Sequence, residues 1–137
     1  MRAMSVVSAI ALSGMDAAAL RLQASASNVA NSLSDGPLPG VAGTAAYPSA
    51  YVPLRVDQVA TADGGTSATL GAITPSYVST YDPSAPYADR NGMVASPNVD
   101  LASEIVQQMV AHYNFAANAQ VVRADAQMTA ALLNVIC

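Results

Sequence analysis

The sequence predicts a mainly α fold: long N- and C-terminal helices packed as an antiparallel, coiled-coil-like pair, with a small β-hairpin and loop insertion between them. Two observations predict it. All eight prolines and seven of the eight glycines lie between Gly36 and Pro97, so each end can form one uninterrupted helix. Those ends are also nearly uncharged, since Asp100, Glu104, Arg123 and Asp125 are the only formal charges from Val99 to Cys137, and a lone solvated helix would carry more. The chain therefore divides into an N-terminal helix over residues 1–35, a Gly/Pro-rich middle over 36–98 and a C-terminal helix over 99–137, the two helices forming one structural domain.

The first helix is expected from about Ser5 to Leu33, with small and aliphatic residues on one 3-4 spaced stripe: Val6, Ala9, Ser13, Ala17, Leu20, Ala24, Ser27 and Asn31. Alanine favours it because it loses no side-chain entropy on becoming helical. Asn28, Asn31 and Ser32, then Ser34-Asp35-Gly36-Pro37, supply the stop. Residues 36–50 show no period and read as a mobile loop. From Tyr51 to Val59 the residues alternate, with Val52, Leu54 and Val56 opposite Tyr51, Arg55 and Asp57, and Pro53 marks an edge strand. Asp63-Gly64-Gly65 is a hairpin turn, Thr66–Ile73 and Ser76–Tyr81 can return as strands, and Asp82–Asn98 reads as an extended run to the second helix.

Asn98 or Asp100 can cap that second helix, which reaches toward Val135 and is long enough, at roughly 55 Å, to belong to an assembly. Two heptad-spaced seams run along it. Leu101, Ile105, Gln108, His112, Phe115, Ala119, Val122, Ala126, Thr129, Leu133 and Ile136 form the first, which can take the N-terminal helix of the same chain. Val106, Val110, Tyr113, Ala117, Ala124, Met128, Ala131 and Val135 form the second, which, with Gln107, Asn114 and Asn118, remains for other subunits. The residues expected to carry subunit packing are Leu20, Ala24, Asn28, Asn31, Ile105, Met109, Phe115, Ala117, Asn118, Ala119, Val122 and Leu133. The neutral amides Asn28, Asn31 and Asn118 would fix register at lower desolvation cost than charges.

Composition removes several function classes. The net charge is −4, lysine is absent, and Arg2, Arg21, Arg55, Arg90 and Arg123 stand far apart, so no basic stripe meets phosphates and nucleic acid is not an expected partner. A hydrophobic fraction of 53% is high, yet no unbroken apolar run approaches the ~20 residues of a bilayer span, so burial against protein is the expectation and a direct membrane span is not. Cys137 has no partner for an internal disulfide. His112 is the only histidine and lacks a cysteine or carboxylate at i+3 or i+4, so it reads as core or interface packing and no metal or other cofactor is expected. Asp82 and Asp89 belong to turn chemistry, no Ser-His-Asp set can be nominated, and an enzyme is not expected.

Three stretches carry a family resemblance. Leu20-Arg21-Leu22-Gln23-Ala24-Ser25-Ala26-Ser27-Asn28-Val29-Ala30-Asn31 resembles the N-terminal signature of the flagellar basal-body rod and hook family. Tyr81-Asp82-Pro83-Ser84-Ala85-Pro86, Ala88-Asp89-Arg90-Asn91-Gly92-Met93-Val94 and Ser96-Pro97-Asn98-Val99-Asp100 resemble a more specific run of its proximal-rod members. Glu104-Ile105-Val106, Phe115-Ala116-Ala117-Asn118 and Leu132-Leu133-Asn134 resemble family words further on. The resemblance implies a structural subunit of the basal-body rod that polymerises through its terminal helices and transmits torque across the periplasm. It implies as partners itself, other rod subunits, ring and junction proteins and the flagellar type III export apparatus, with export free of a cleaved leader. One departure is the long loop Ser32–Ala50 before Tyr51-Val52-Pro53-Leu54-Arg55, where relatives have a short segment and a basic pair. The alternatives are an adaptor or junction protein of the same axial structure, or a small secreted periplasmic binding module whose leader, imitated by Arg2, Met4–Leu12 and Ala17-Ala18-Ala19, is removed.

Overall fold

A computed structural model of the chain describes residues 6–41, 44 and 46–136. The helix start expected at Ser5, the leader-like Arg2 and Met4, and Cys137 lie outside the described residues, as do the side chains of Val135 and Ile136. Two helices and four strands follow in the order α1 (Val6–Ala30), β1 (Leu54–Ala60), β2 (Thr66–Ala72), β3 (Tyr77–Tyr81), β4 (Met93–Pro97) and α2 (Leu101–Ile136).

The helix α1 spans 25 residues and ends at Ala30, three residues before the expected exit, where Asn31 Nδ2 donates to Ser27 O at 2.9 Å and draws the chain out of the helix. By length and composition α1 could cross a bilayer, which corrects the expectation that no segment approaches such a span. Its polar residues are nevertheless committed to protein: Ser25 and Asn28 are buried against α2 and the first hairpin. Asp100 caps α2, its carboxylate accepting from Ala102 N at 3.1 Å and from Ser103 Oγ at 2.8 Å. From there α2 runs 36 residues, about 54 Å at the helical rise.

The two helices lie antiparallel, because Ser8 meets Asp125, Gly14 meets Asn118 and Asn28 meets Glu104. Among the described residues α1 is the sole element of the chain packed on α2. The other flank of α1 holds the β1–β2 hairpin, which pairs antiparallel from Leu54↔Ala72 to Ala60↔Thr66. The expected turn closes it: Gly64 and Gly65 take φ of 74° and 125°, values that other residues rarely adopt. Its tip rests near the start of α1, where Thr66 N donates to Ser13 Oγ at 3.1 Å, and its open end sits beside Asn28.

This layering explains a difference from the expected stripe on α1. Ser13, Ala17, Leu20 and Ser27 do lie on a packed face, but that face meets the hairpin region. The neighbouring line Ala11, Gly14, Ala18, Ser25 and Asn28 meets α2, while Val6 and Ala9 are exposed. Being sandwiched, α1 needs two packed lines where a single stripe was expected.

Residues 82–98 differ from the expected extended run. Met93–Pro97 forms β4, paired antiparallel with β3 from Tyr77↔Pro97 to Tyr81↔Met93, so among the described residues the middle holds two separate two-stranded sheets. This second hairpin packs on the preceding loop, leaving both helices untouched among the described residues: Gly36 and Ala95 exchange two backbone bonds of 2.9 Å, Tyr51 N donates to Ser34 O at 3.0 Å, and Tyr47 lies 5.6 Å from Tyr87, ring centre to ring centre. Val94, Ala95 and Pro97 are buried there, and Pro53 is buried in the loop itself. The loop expected to be mobile is thus anchored on both flanks of the gap in the described residues.

Candidate functional site: the outward faces of the terminal helices

The α1–α2 seam is built from small and polar side chains. Ala11, Ala18 and Ala111 are buried, and Gly14 lets the helices approach so closely that an added Cβ would fall 2.7 Å from Asn118 Nδ2. Asn28, 1% exposed, joins three segments: its Nδ2 donates to Leu54 O and Glu104 Oε1, each at 2.7 Å, and its Oδ1 accepts from Leu54 N at 2.8 Å and Tyr51 Oη at 3.1 Å. Ser27 Oγ lies 2.9 Å from the same Tyr51 hydroxyl, and Ser25 Oγ donates to Glu104 O at 3.0 Å. At the far end Ser8 Oγ donates to Asp125 Oδ2 at 2.5 Å.

Both carboxylates of α2 therefore turn inward onto hydroxyl and amide groups of α1. That arrangement rotates α2 relative to the predicted first seam. Glu104, Gln108, Ala111, Asn118, Val122 and Asp125 lie toward α1, with Ala119 at the margin, whereas Phe115 is exposed. Leu101, Ile105 and His112, expected against α1, are instead exposed, as are Ala126, Thr129 and Leu133 beyond. The physical reason is closeness: a seam lined on α1 by Gly14, Ala11 and Ala18 admits Ala111 and Asn118, whereas Ile105 or His112 would force the axes apart. The His112 ring meets that of Tyr113 edge-on, with ring centres 5.8 Å apart.

The packing residues named from sequence thus separate into two groups. Leu20, Ala24, Asn28, Asn118, Ala119 and Val122 are buried or half-buried within the subunit, and Asn31 closes the end of α1. Ile105, Met109, Phe115, Ala117 and Leu133 point outward. The second seam does the same along its described length, with Val106 51%, Tyr113 70% and Met128 57% exposed. Sequence reasoning missed Ser8, Gly14, Ser25, Tyr51 and Glu104 as contact residues. One signal was present: Glu104 and Asp125 are three heptads apart and so share one line of the helix.

The remaining concavities offer binding surface but little chemistry. A cleft of about 390 Å³ beside Glu104 is lined by Arg21, Ser25, Leu54, Ile73, Glu104 and Gln107. Among the described residues no three His, Cys, Asp or Glu side chains gather as a metal site. The lowered pKa values belong to turns and a cap. Hydrogen bonds from Ser84 hold Asp82 below the ordinary carboxylate value, the Met93 and Asn91 backbone amides do so for Asp89, and Ser103 and Ala102 do so for Asp100.

Residues 90–135, which carry most of this outward-facing helix, match the family described as flagellar basal body rod FlgEFG protein C-terminal. That places the helix in the class of flagellar rod proteins. A flagellar basal-body rod protein FlgC of Agrobacterium fabrum is 32% identical over 133 residues, covering 97% of this chain and 95% of its own length. The FlgC protein of Salmonella typhimurium is 36% identical over 115 residues, 82% of each chain. The chain belongs to the FlgC family of flagellar basal-body rod proteins, a family of structural subunits.

Proposed function

We propose that this subunit polymerises through the outward faces of α1 and α2, which neighbouring rod subunits cover, and that torque passes through the resulting packed helices. One observation carries the reading: α2 holds Ile105, Val106, Met109, Tyr113 and Met128 at half exposure or more, on a surface whose only charge within the helix is Arg123. Completing the burial of such side chains is worth on the order of 1 kcal/mol each, and several together offset the cost of association. Packed interiors are stiff, which suits a shaft that performs no chemistry.

The partners in this reading are further copies, other rod subunits, and ring and junction proteins of the basal body, met after passage through the flagellar type III export apparatus. The chain would travel with its N-terminal residues intact. Supporting this, α1 continues unbroken through Ala17, Ala18 and Ala19, and cleavage there would remove Ser8, Ala11, Gly14 and the buried Ala17 and Ala18 from the α2 and hairpin contacts. Intact mass of the exported protein tests that part, with loss of residues 1–19 contradicting it.

The assembly reading is tested with Ala117→Glu. Ala117 is exposed, so the purified variant should keep parental helicity, while its level in isolated basal bodies falls by at least about tenfold because assembly would bury an unpaired charge. Parental incorporation would overturn the reading.

A further inference from the structure

We propose that Arg123 of one subunit pairs with Asp16 of a second copy, seating the outward line of α1 on the outward line of α2. The inference rests on the assembly reading above and adds the faces and the register. Glu104 and Asp125 are both turned onto α1, so Arg123 is the one charge left on the outer surface of α2 among the described residues. It stands in line with Val106, Met109, Tyr113, Ala116 and Gln120, all exposed.

Helix α1 shows the opposite charge in the corresponding setting. Its two charges are Asp16 and Arg21, and Arg21 Nη2 donates to Gln58 Oε1 at 2.8 Å. Asp16, exposed at the rim of the cleft that α1 forms with Thr66, Ser67 and Ala68 of the first hairpin, lies on the heptad-spaced line Ala9, Leu12, Asp16, Ala19, Gln23 and Ala26, every member of which is exposed. Thus each helix offers a neutral line bearing one charge, and the two charges are opposite.

The other described acids are occupied or badly placed. Asp57 pairs with Arg55 at 3.2 Å, Asp82 and Asp89 accept bonds inside their own turns, and Asp100 caps α2. Asp63 lies at a hairpin turn and Asp35 in the loop after α1, where neither belongs to a flat helical surface. An ion pair alone at a surface is worth little, but inside an otherwise neutral helix contact it sets register, because a mismatch buries an unpaired charge. The contact joins different faces of the two copies, so it is head-to-tail and can propagate along a polymer.

The test is charge exchange, read as the amount of this protein in isolated basal bodies, beside circular dichroism of each purified variant. R123D and D16R should each keep parental helicity and lower incorporation by about tenfold or more, and D16R/R123D should recover to within about threefold of the parental level. Single variants at parental level, a double variant no better than the singles, or rescue of R123D by D63R in place of D16R would each overturn the pairing. A second measurement is independent of folding effects: with Cys137→Ser as background, D16C together with R123C should be joined into multimers in basal bodies by a bis-maleimide cross-linker with a span of about 10 Å, the reach of an arginine–aspartate pair and too long for a direct disulfide, and only monomer would contradict the contact. Absence of the parental protein from basal bodies would instead sink the assembly reading, and the pairing with it; parental presence with unaffected single variants sinks the pairing alone.

Discussion

At the scale of single residues, Asn28 shows most directly how chemistry in this chain becomes architecture. Its amide satisfies the Leu54 backbone on the hairpin and the carboxylate of Glu104 on α2 at once. Asn28→Ala should therefore cost about 2–4 kcal/mol in urea unfolding, since it leaves a buried carboxylate and a backbone pair without partners. Asn28→Asp should cost more at neutral pH and regain part of the loss with Glu104→Gln, which replaces two like charges by a carboxylate accepting from an amide. Asp82 and Asp89 give a pH prediction. Their folded-state pKa values lie below the ordinary value, so their contribution is complete above the unfolded pKa of about 4 and fades as pH falls through the lower folded values. Protection of the Ser84 and Asn91 amides, meaning exchange corrected for its intrinsic pH dependence, should fall over that acid window, and Asp82→Asn should remove the fall at Ser84. The turn role of these aspartates was legible in sequence because Asp-Pro and Asp-Arg-Asn-Gly act locally. The partners of Asn28 were not, since Leu54 and Glu104 become its neighbours only when three segments converge.

At the scale of elements, both helices were legible from the distribution of proline, glycine and charge, and the first turn from Asp63-Gly64-Gly65. The rotation of α2 was not. Hydrophobic spacing ranked Ile105 and His112 as inward positions, whereas the close approach at Gly14 and the inward turn of Glu104 and Asp125 chose another line. Strand β4 was equally hidden, because Met93–Pro97 acquires its strand character from pairing with Tyr77–Tyr81 and from the Gly36 bridge. Two measurements address this scale. Gly14→Ala should destabilise the helix pair by about 1–3 kcal/mol, and adding Asn118→Ala should return part of that, because the new methyl meets the Asn118 side chain. Asp100→Ala should cost about 1 kcal/mol through loss of the cap on α2.

For the whole molecule, the described subunit has its polar groups satisfied and its apolar groups uncovered. Among the described residues no buried side-chain nitrogen or oxygen lacks a partner, while Tyr113, Met128 and Leu132 stand more than half exposed. That combination fits an ordered part whose burial is finished by neighbours. It also separates the exposed Ile105, Met109, Ala117 and Leu133 from the inward Asn28 and Asn118, a separation that sequence spacing blurred because both groups share heptad periodicity. The most direct measurement is an electron-microscopic map of intact basal bodies in which this chain is traced. Helices of neighbouring subunits should cover Val106, Tyr113 and Met128 along α2; a traced subunit whose α2 faces solvent at those three residues would contradict assembly through this face.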